Sequence, residues 1–176
     1  GANEVAEKIR SDFGRKAVVI RSNLAMLSGV DALFDEFLKH FDRLDLFVNN
    51  AGVTKKSKFL ETEEEMFDLI VNVDYKGAYF CMQRAARIMK EKEIEGSIIL
   101  ISSNNAKAHF ADVSVYGSVK AAIQKAAEQS YAGVCASGLA RNPAPARLWI
   151  FVCPFILCGV CLARRSEATP TCIKTS

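Results

Sequence analysis

Apolar residues recur along this chain with two periods. Val5, Ile9 and Phe13 fall at helical spacing and end on Gly14, which predicts a helix over 3–13. Leu33, Phe34, Phe37, Leu38 and Phe41 share one side of a second helix, over 30–41. A third, long helix is predicted from the acidic stretch Glu61–Glu65, through Phe67, Ile70 and Val71, towards Met89. Acid in its first turn suits the positive end of the helix dipole. A fourth covers Ser114 through Glu128, rich in Ala, Lys, Gln and Glu and free of Pro. Between these lie short apolar runs of strand length: Ala17–Ile20, Leu44–Val48 and Ile98–Ile101. Alternation of short buried strands with helices predicts an α/β fold.

Length and composition narrow the class. The chain has 176 residues, half of them hydrophobic, enough for one domain with a sizeable core. A net charge of +3, with basic residues scattered, gives no footprint for nucleic acid. Six cysteines without regular spacing read as reduced thiols, so the expected compartment is the cytoplasm. His40 and His109 stand alone, and Cys158-x-x-Cys161 has no second pair, so no metal site is expected. Lys55, Lys56 and Lys58 read as a solvated loop.

The chemistry concentrates between Gly96 and Lys120. Ser103 follows an apolar strand, at the rim where open α/β sheets bind ligands. Tyr116 and Lys120 are one helical turn apart on one face. A phenol with its ordinary pKa of roughly 10 is a poor acid–base group at neutral pH, and a neighbouring ammonium favours the phenolate. A serine hydroxyl can hold a carbonyl or alcohol oxygen in place. Such a set moves a proton but not a hydride, which a cofactor must carry.

Three motifs, Asn49-Asn50-Ala51-Gly52 after a strand, Ser103 at a strand end and Tyr116-Gly-Ser-Val-Lys120, occur in this order. In them the sequence resembles the short-chain dehydrogenase/reductase family, over residues up to about Ser130. The resemblance implies an α/β fold with a partial Rossmann-like, doubly wound parallel sheet lacking the first βαβ unit. It implies NAD or NADP as cofactor and a small alcohol or ketone as substrate. Tyr116 would be the acid–base, Lys120 would activate it and hold the nicotinamide ribose, and Ser103 would orient the substrate oxygen. Asn23, Asn50 and Gly52 would line the cofactor site. Asn23 stands where family members commonly carry Asp, and a turn or helix-cap role fits it equally well. The resemblance also implies assembly into homo-oligomers.

Three departures from the family pattern stand out. Asp74 occupies the position of an Asn that supports a water chain to the lysine, and Asn72 is off by two. The alternative for Asp74 is a helix-surface acid. No glycine-rich turn of the type T-G-x-x-x-G-x-G or G-x-G-x-x-G occurs in these residues. The pyrophosphate anchor is therefore expected to be missing, with Ala17–Ile20 and the strand before Asn49 left with exposed edges. Beyond Ser130 the family text is lost. Codons for Tyr131–Asn142, read one nucleotide downstream, can spell a family-like M-L-E-F-A-P-A-G-L-R-V, so residues 131–176 are read as an aberrant, frameshifted tail behind a dehydrogenase-type domain over 1–130. The competing readings are a non-catalytic remnant and a tail-anchored membrane protein. Against the latter, Leu148–Ala163 is short of the usual span of about 20 residues and is interrupted by Pro154 and Gly159.

Overall fold

The computed structural model describes residues 1–134, 147–153, 160–164 and 171–174, with side chains through Ser130. Helix α1 (Ala2–Phe13) ends on Gly14, whose φ of 60° is the left-handed conformation that stops a helix. Helix α2 (Leu27–His40) turns Val30, Leu33, Phe34 and Phe37 inward. Strand β1 (Leu46–Asn49) follows, then helix α3 (Glu64–Ile70), a π-helical segment (Val71–Gly77) and helix α4 (Ala78–Glu91) in continuous succession. Strand β2 (Ser97–Ser103) leads through a 3₁₀ turn (Asn104–Ala106) and a loop to helix α5 (Ser114–Val134). Strands β3 (Arg147–Cys153), β4 (Val160–Arg164) and β5 (Thr171–Lys174) complete the sheet.

The sheet order is β3-β2-β1-β4-β5. β1, β2 and β3 run parallel, joined through the helices that pack on them. This is the α/β architecture that the alternating pattern predicts, with the partial Rossmann-like parallel sheet that the resemblance implies. The other edge of β1 is not bare. β4 pairs with it antiparallel, Leu46 opposite Ala163 and Asn49 opposite Val160, and β5 pairs antiparallel with β4. The expectation of an exposed edge on β1 is therefore corrected: residues from the tail supply the missing ladder partner.

Ala17–Ile20 is a second correction. It is not a strand, although Ala17 and Ile20 are buried. A β-branched run becomes a strand only with a neighbour to bond. Here it packs by its side chains while β1 takes its partners from β2 and β4.

The core joins α2, α4 and α5 to β1 and β2. Phe34, Phe37 and Phe47 are buried with Cys81, Ala85, Leu100 and Ile123. The Phe34 and Phe47 rings meet at 5.8 Å between centroids, α2 against β1. Burial pushes the Cys81 thiol up to about 12, which leaves it an inert apolar filler. A second cluster gathers Ile70, Val115, Tyr116 and Val119, with Val53 and Val113 packed against it, around the carboxyl end of β2.

The apolar run 148–163 contributes to β3 and β4 instead of a helix. Among the described residues, no helix is long and apolar enough to cross a membrane. Of the stretch read as frameshifted, 131–134 extend α5 and 135–146 lie outside the described residues, as does Cys158.

Candidate active site

Two backbone approaches place α5 against the end of β2. Gly117, inside the Tyr116–Lys120 turn, lies so close to the 3₁₀ turn that a Cβ there would stand 2.9 Å from the carbonyl oxygen of Asn105. Only glycine allows the helix this near. Ser102 makes the second tie. Its hydroxyl donates to the Lys120 carbonyl at 3.3 Å and accepts from the Gln124 side-chain amide at 2.8 Å. Ser102 and Ser103 are both buried, so the strand end and the Tyr116–Lys120 turn form one rigid corner.

Within that corner Tyr116 and Lys120 are both buried, 7% and 5% exposed. The Lys120 ammonium lies 5.4 Å from the centroid of the Tyr116 ring, within cation–π range. Ser103 caps the 3₁₀ turn. Its Oγ accepts from the Asn105 amide at 3.2 Å and lies 3.3 Å from Asn104 Oδ1, to which it donates. The hydroxyl is thus held in a fixed position by its own strand end.

Asp74 is a buried acid and not a surface one. It is fully buried, on the inner side of the π-helical segment. Its Oδ1 accepts from the Val53 amide at 2.7 Å, and its Oδ2 lies 3.0 Å from Lys120 Nζ. That second contact is an ion pair without hydrogen-bond alignment, for Oδ2 has no aligned donor. Burial raises the Asp74 carboxyl above the ordinary carboxylate range, and the attraction of Lys120 and the Val53 hydrogen bond offset this only in part. Residue 74 and the lysine are thus in direct contact.

Gly52 explains how the pieces meet. A Cβ at this position would lie 2.8 Å from Asp74 Oδ2 and 3.1 Å from Lys120 Nζ. The turn after β1 therefore passes directly over the ion pair. Asn50, two residues earlier, lies in the same turn.

Asn49, the first residue of the Asn49-Asn50-Ala51-Gly52 motif, proves to be a buried tie. Its side-chain amide donates to the Ala78 carbonyl at 2.8 Å, linking β1 to the start of α4. The signal was present: alternation along β1 puts Asn49 on the same inward face as Phe47. Asn23 is elsewhere, exposed in the loop before α2, where its Oδ1 accepts from the Ala25 amide at 3.1 Å. That is an Asx turn, the second of its two sequence readings. The loop lysines 55, 56 and 58 are exposed, and Lys58 pairs with Glu61 at 3.1 Å. Among the described residues no group of three His, Cys, Asp or Glu side chains is placed to hold a metal.

The residues present fit one end of a nicotinamide dinucleotide. Tyr116, Lys120 and Gly52 come together at one corner that offers donors and a closely approaching backbone. The pyrophosphate end has no glycine-rich turn among these 176 residues.

The family model described as short chain dehydrogenase matches residues 1–134. Over 106 residues the chain is 37% identical to L-rhamnose 1-dehydrogenase (NAD(P)(+)) of Azotobacter vinelandii, covering 60% of this chain and 41% of that one. Among solved structures it resembles acetoin dehydrogenase YohF of Salmonella typhimurium, with a TM-score of 0.71 and 31% identity, covering 77% of this chain and 53% of that one. It also resembles landomycin C-6 ketoreductase LanV with bound NADP and rabelomycin, with a TM-score of 0.72 and 29% identity, covering 85% and 59%. The chain thus spans about 41% of the length of the curated relative.

Proposed function

Because the chain belongs to the short-chain dehydrogenase family, we propose that it carries the proton-transfer corner of an NAD(P)-dependent oxidoreductase acting on a small alcohol or ketone. The observation that supports this most is the rigid corner itself. Gly117 and Ser102 hold the Tyr116–Lys120 turn against the strand end that carries Ser103. A general acid–base works only when its geometry is fixed within hydrogen-bond reach of the reacting oxygen.

In the oxidation direction the substrate hydroxyl lies between Ser103 Oγ and Tyr116 Oη. Ser103 donates to or accepts from the substrate oxygen and fixes it. Tyr116, as phenolate, takes the hydroxyl proton as the carbonyl forms. The Lys120 ammonium beside the ring favours that phenolate and offers donors to a ribose. Asn50 and Gly52 line the same side. When bound, the nicotinamide supplies the hydride acceptor. In the reduction direction the same phenol returns its proton to the developing alkoxide. The relatives' printed names, an L-rhamnose dehydrogenase and a ketoreductase, support an alcohol/ketone pair as the substrate class.

Titration of the purified chain with NADH and NADPH, followed by nicotinamide fluorescence, tests the cofactor half. Saturable enhancement is the expected result, and a flat trace with both nucleotides overturns the proposal. Turnover of simple secondary alcohols tests the chemistry. Tyr116→Phe is expected to lower any such rate by about a hundredfold or more, the usual share of a positioned acid–base group.

A further inference from the structure

Among the described residues the sheet has two outer edges, and they differ in kind. One belongs to β5, four residues that end on Lys174. The other belongs to β3, which is seven residues long. The inner edge of β3 bonds β2 along its whole length, from Ser97 opposite Arg147 to Ser103 opposite Cys153. Its outer edge has no strand partner among the described residues. Short length and a lysine are common guards that keep a strand edge from pairing with another chain. β5 has both and β3 has neither. From Leu148 to Cys153 the strand reads Leu-Trp-Ile-Phe-Val-Cys, without charge, glycine or proline. Uncharged runs of β-branched and aromatic residues pair readily edge to edge.

The charge on the strand selects the geometry of such pairing. Arg147 is its one charged residue and stands at its amino end. A second β3 alongside in parallel register would set Arg147 beside Arg147, and like charges directly opposite repel. In antiparallel register over the full strand, Arg147 of each copy falls opposite Cys153 of the other. Antiparallel self-pairing is also what a two-fold axis produces, here beside Ile150, the middle residue of the strand. It consumes both β3 edges at once and leaves the guarded β5 edges outside. Pairing of β3 with β5 of the next copy would set seven residues against four, bring Lys174 into the ladder and leave an edge open at each end.

We propose that the outer edge of β3 is an interface with a second copy of this chain, β3 pairing antiparallel with β3 across a two-fold axis. Two five-stranded sheets then join into one of ten strands. β3 lies outside residues 1–134, which the family model matches, so the inference stands apart from the oxidoreductase reading. Ser103 registers with Cys153 at the carboxyl end of β3, so the two candidate sites fall at opposite rims of the joined sheet, each complete within its own copy.

Sedimentation velocity of the full chain over a concentration series tests this, and a monomer–dimer equilibrium is expected. Cys153→Arg sets like charges opposite each other at both ends of the ladder and is expected to weaken the dimer about fivefold. Adding Arg147→Glu to that variant sets opposite charges there and is expected to restore it. In a parallel ladder the same double variant repels at both ends. A chain that stays monomeric at every concentration overturns the proposal, as does growth beyond two copies. A dimer within twofold of the unsubstituted one in Cys153→Arg overturns it too, because the contact then lies on another surface, such as a helix face. So does a double variant no tighter than Cys153→Arg. If the variants fail to fold, hydrogen exchange of the unsubstituted chain decides, read by mass spectrometry on the peptide covering 147–153. Slower exchange at high than at low protein concentration is expected, and equal exchange overturns the proposal.

Discussion

Arg84 and Asp31 tie α4 to α2 at the surface, whereas Lys120 and Asp74 tie α5 to the π-helical segment inside. The surface pair is aligned: Arg84 Nε donates to Asp31 Oδ1 at 2.8 Å, and the guanidinium NH2 donates to the same oxygen. Its side chains are 39% and 36% exposed, so water screens what they gain. The interior pair has no such screening and poorer alignment, at 7% and 0% exposure. Alignment alone is thus a poor guide to importance. What separates the pairs is what remains when one partner is removed. At the surface water replaces it, and inside nothing does.

The largest effect is expected from Lys120→Met. It leaves a buried carboxylate unpaired and should cost about 3–5 kcal/mol of stability in urea unfolding at neutral pH. The loss should shrink at acid pH, where Asp74 sheds its charge. A loss that does not vary with pH means that packing, not charge, sets the cost.

Asn49→Ala comes next. It removes a buried neutral tie to the Ala78 carbonyl and should cost about 1–3 kcal/mol by the same assay. A value above that of Lys120→Met would reverse the ranking of charged over neutral ties.

The pH dependence of stability sharpens the comparison further. A carboxyl raised in the folded state binds its proton more readily there than in the unfolded chain. Folding stability from Asp74 is therefore full below the ordinary carboxylate range and falls as pH rises through the raised folded value. Exposed Glu4 and Glu36 are shifted downward and act in the opposite sense. Thermal melts across mildly acid to neutral pH should show less decline in Asp74→Asn than in the unsubstituted chain. Equal slopes would mean that Asp74 is not the group responsible.

The smallest effect belongs to Arg84→Ala. Less than about 1 kcal/mol is expected, fading with added salt. A larger, salt-independent loss would assign Arg84 a packing role through its aliphatic stem.

Much of this was legible in the chain. Period-3.6 patterning located the helices to within a few residues, and the Tyr116 and Lys120 spacing placed both on one face of α5. The family pattern singled out Asp74, but not its direct contact with Lys120. That contact depends on the π-helical segment, and no hydrophobic period signals such a turn. Ala17–Ile20 misled because strand propensity says nothing about whether a partner is at hand. The role of Gly117 was hidden for a related reason. A glycine inside a helix reads as a weak former until the backbone facing it is known. The pairing of β4 and β5 with β1 is a long-range event that local pattern does not encode.

The π-helical segment has one more effect. Its ladder carries more chain per turn than the helices on either side, a short reserve of length between Ile70 and Ala78. Removal of a single residue there lets the coil tighten into ordinary α geometry, where the same loss within α4 throws the whole inward stripe from Cys81 to Met89 out of phase. Natural length variation in this helix is therefore best tolerated beside the buried acid, and any such shortening re-aims that acid.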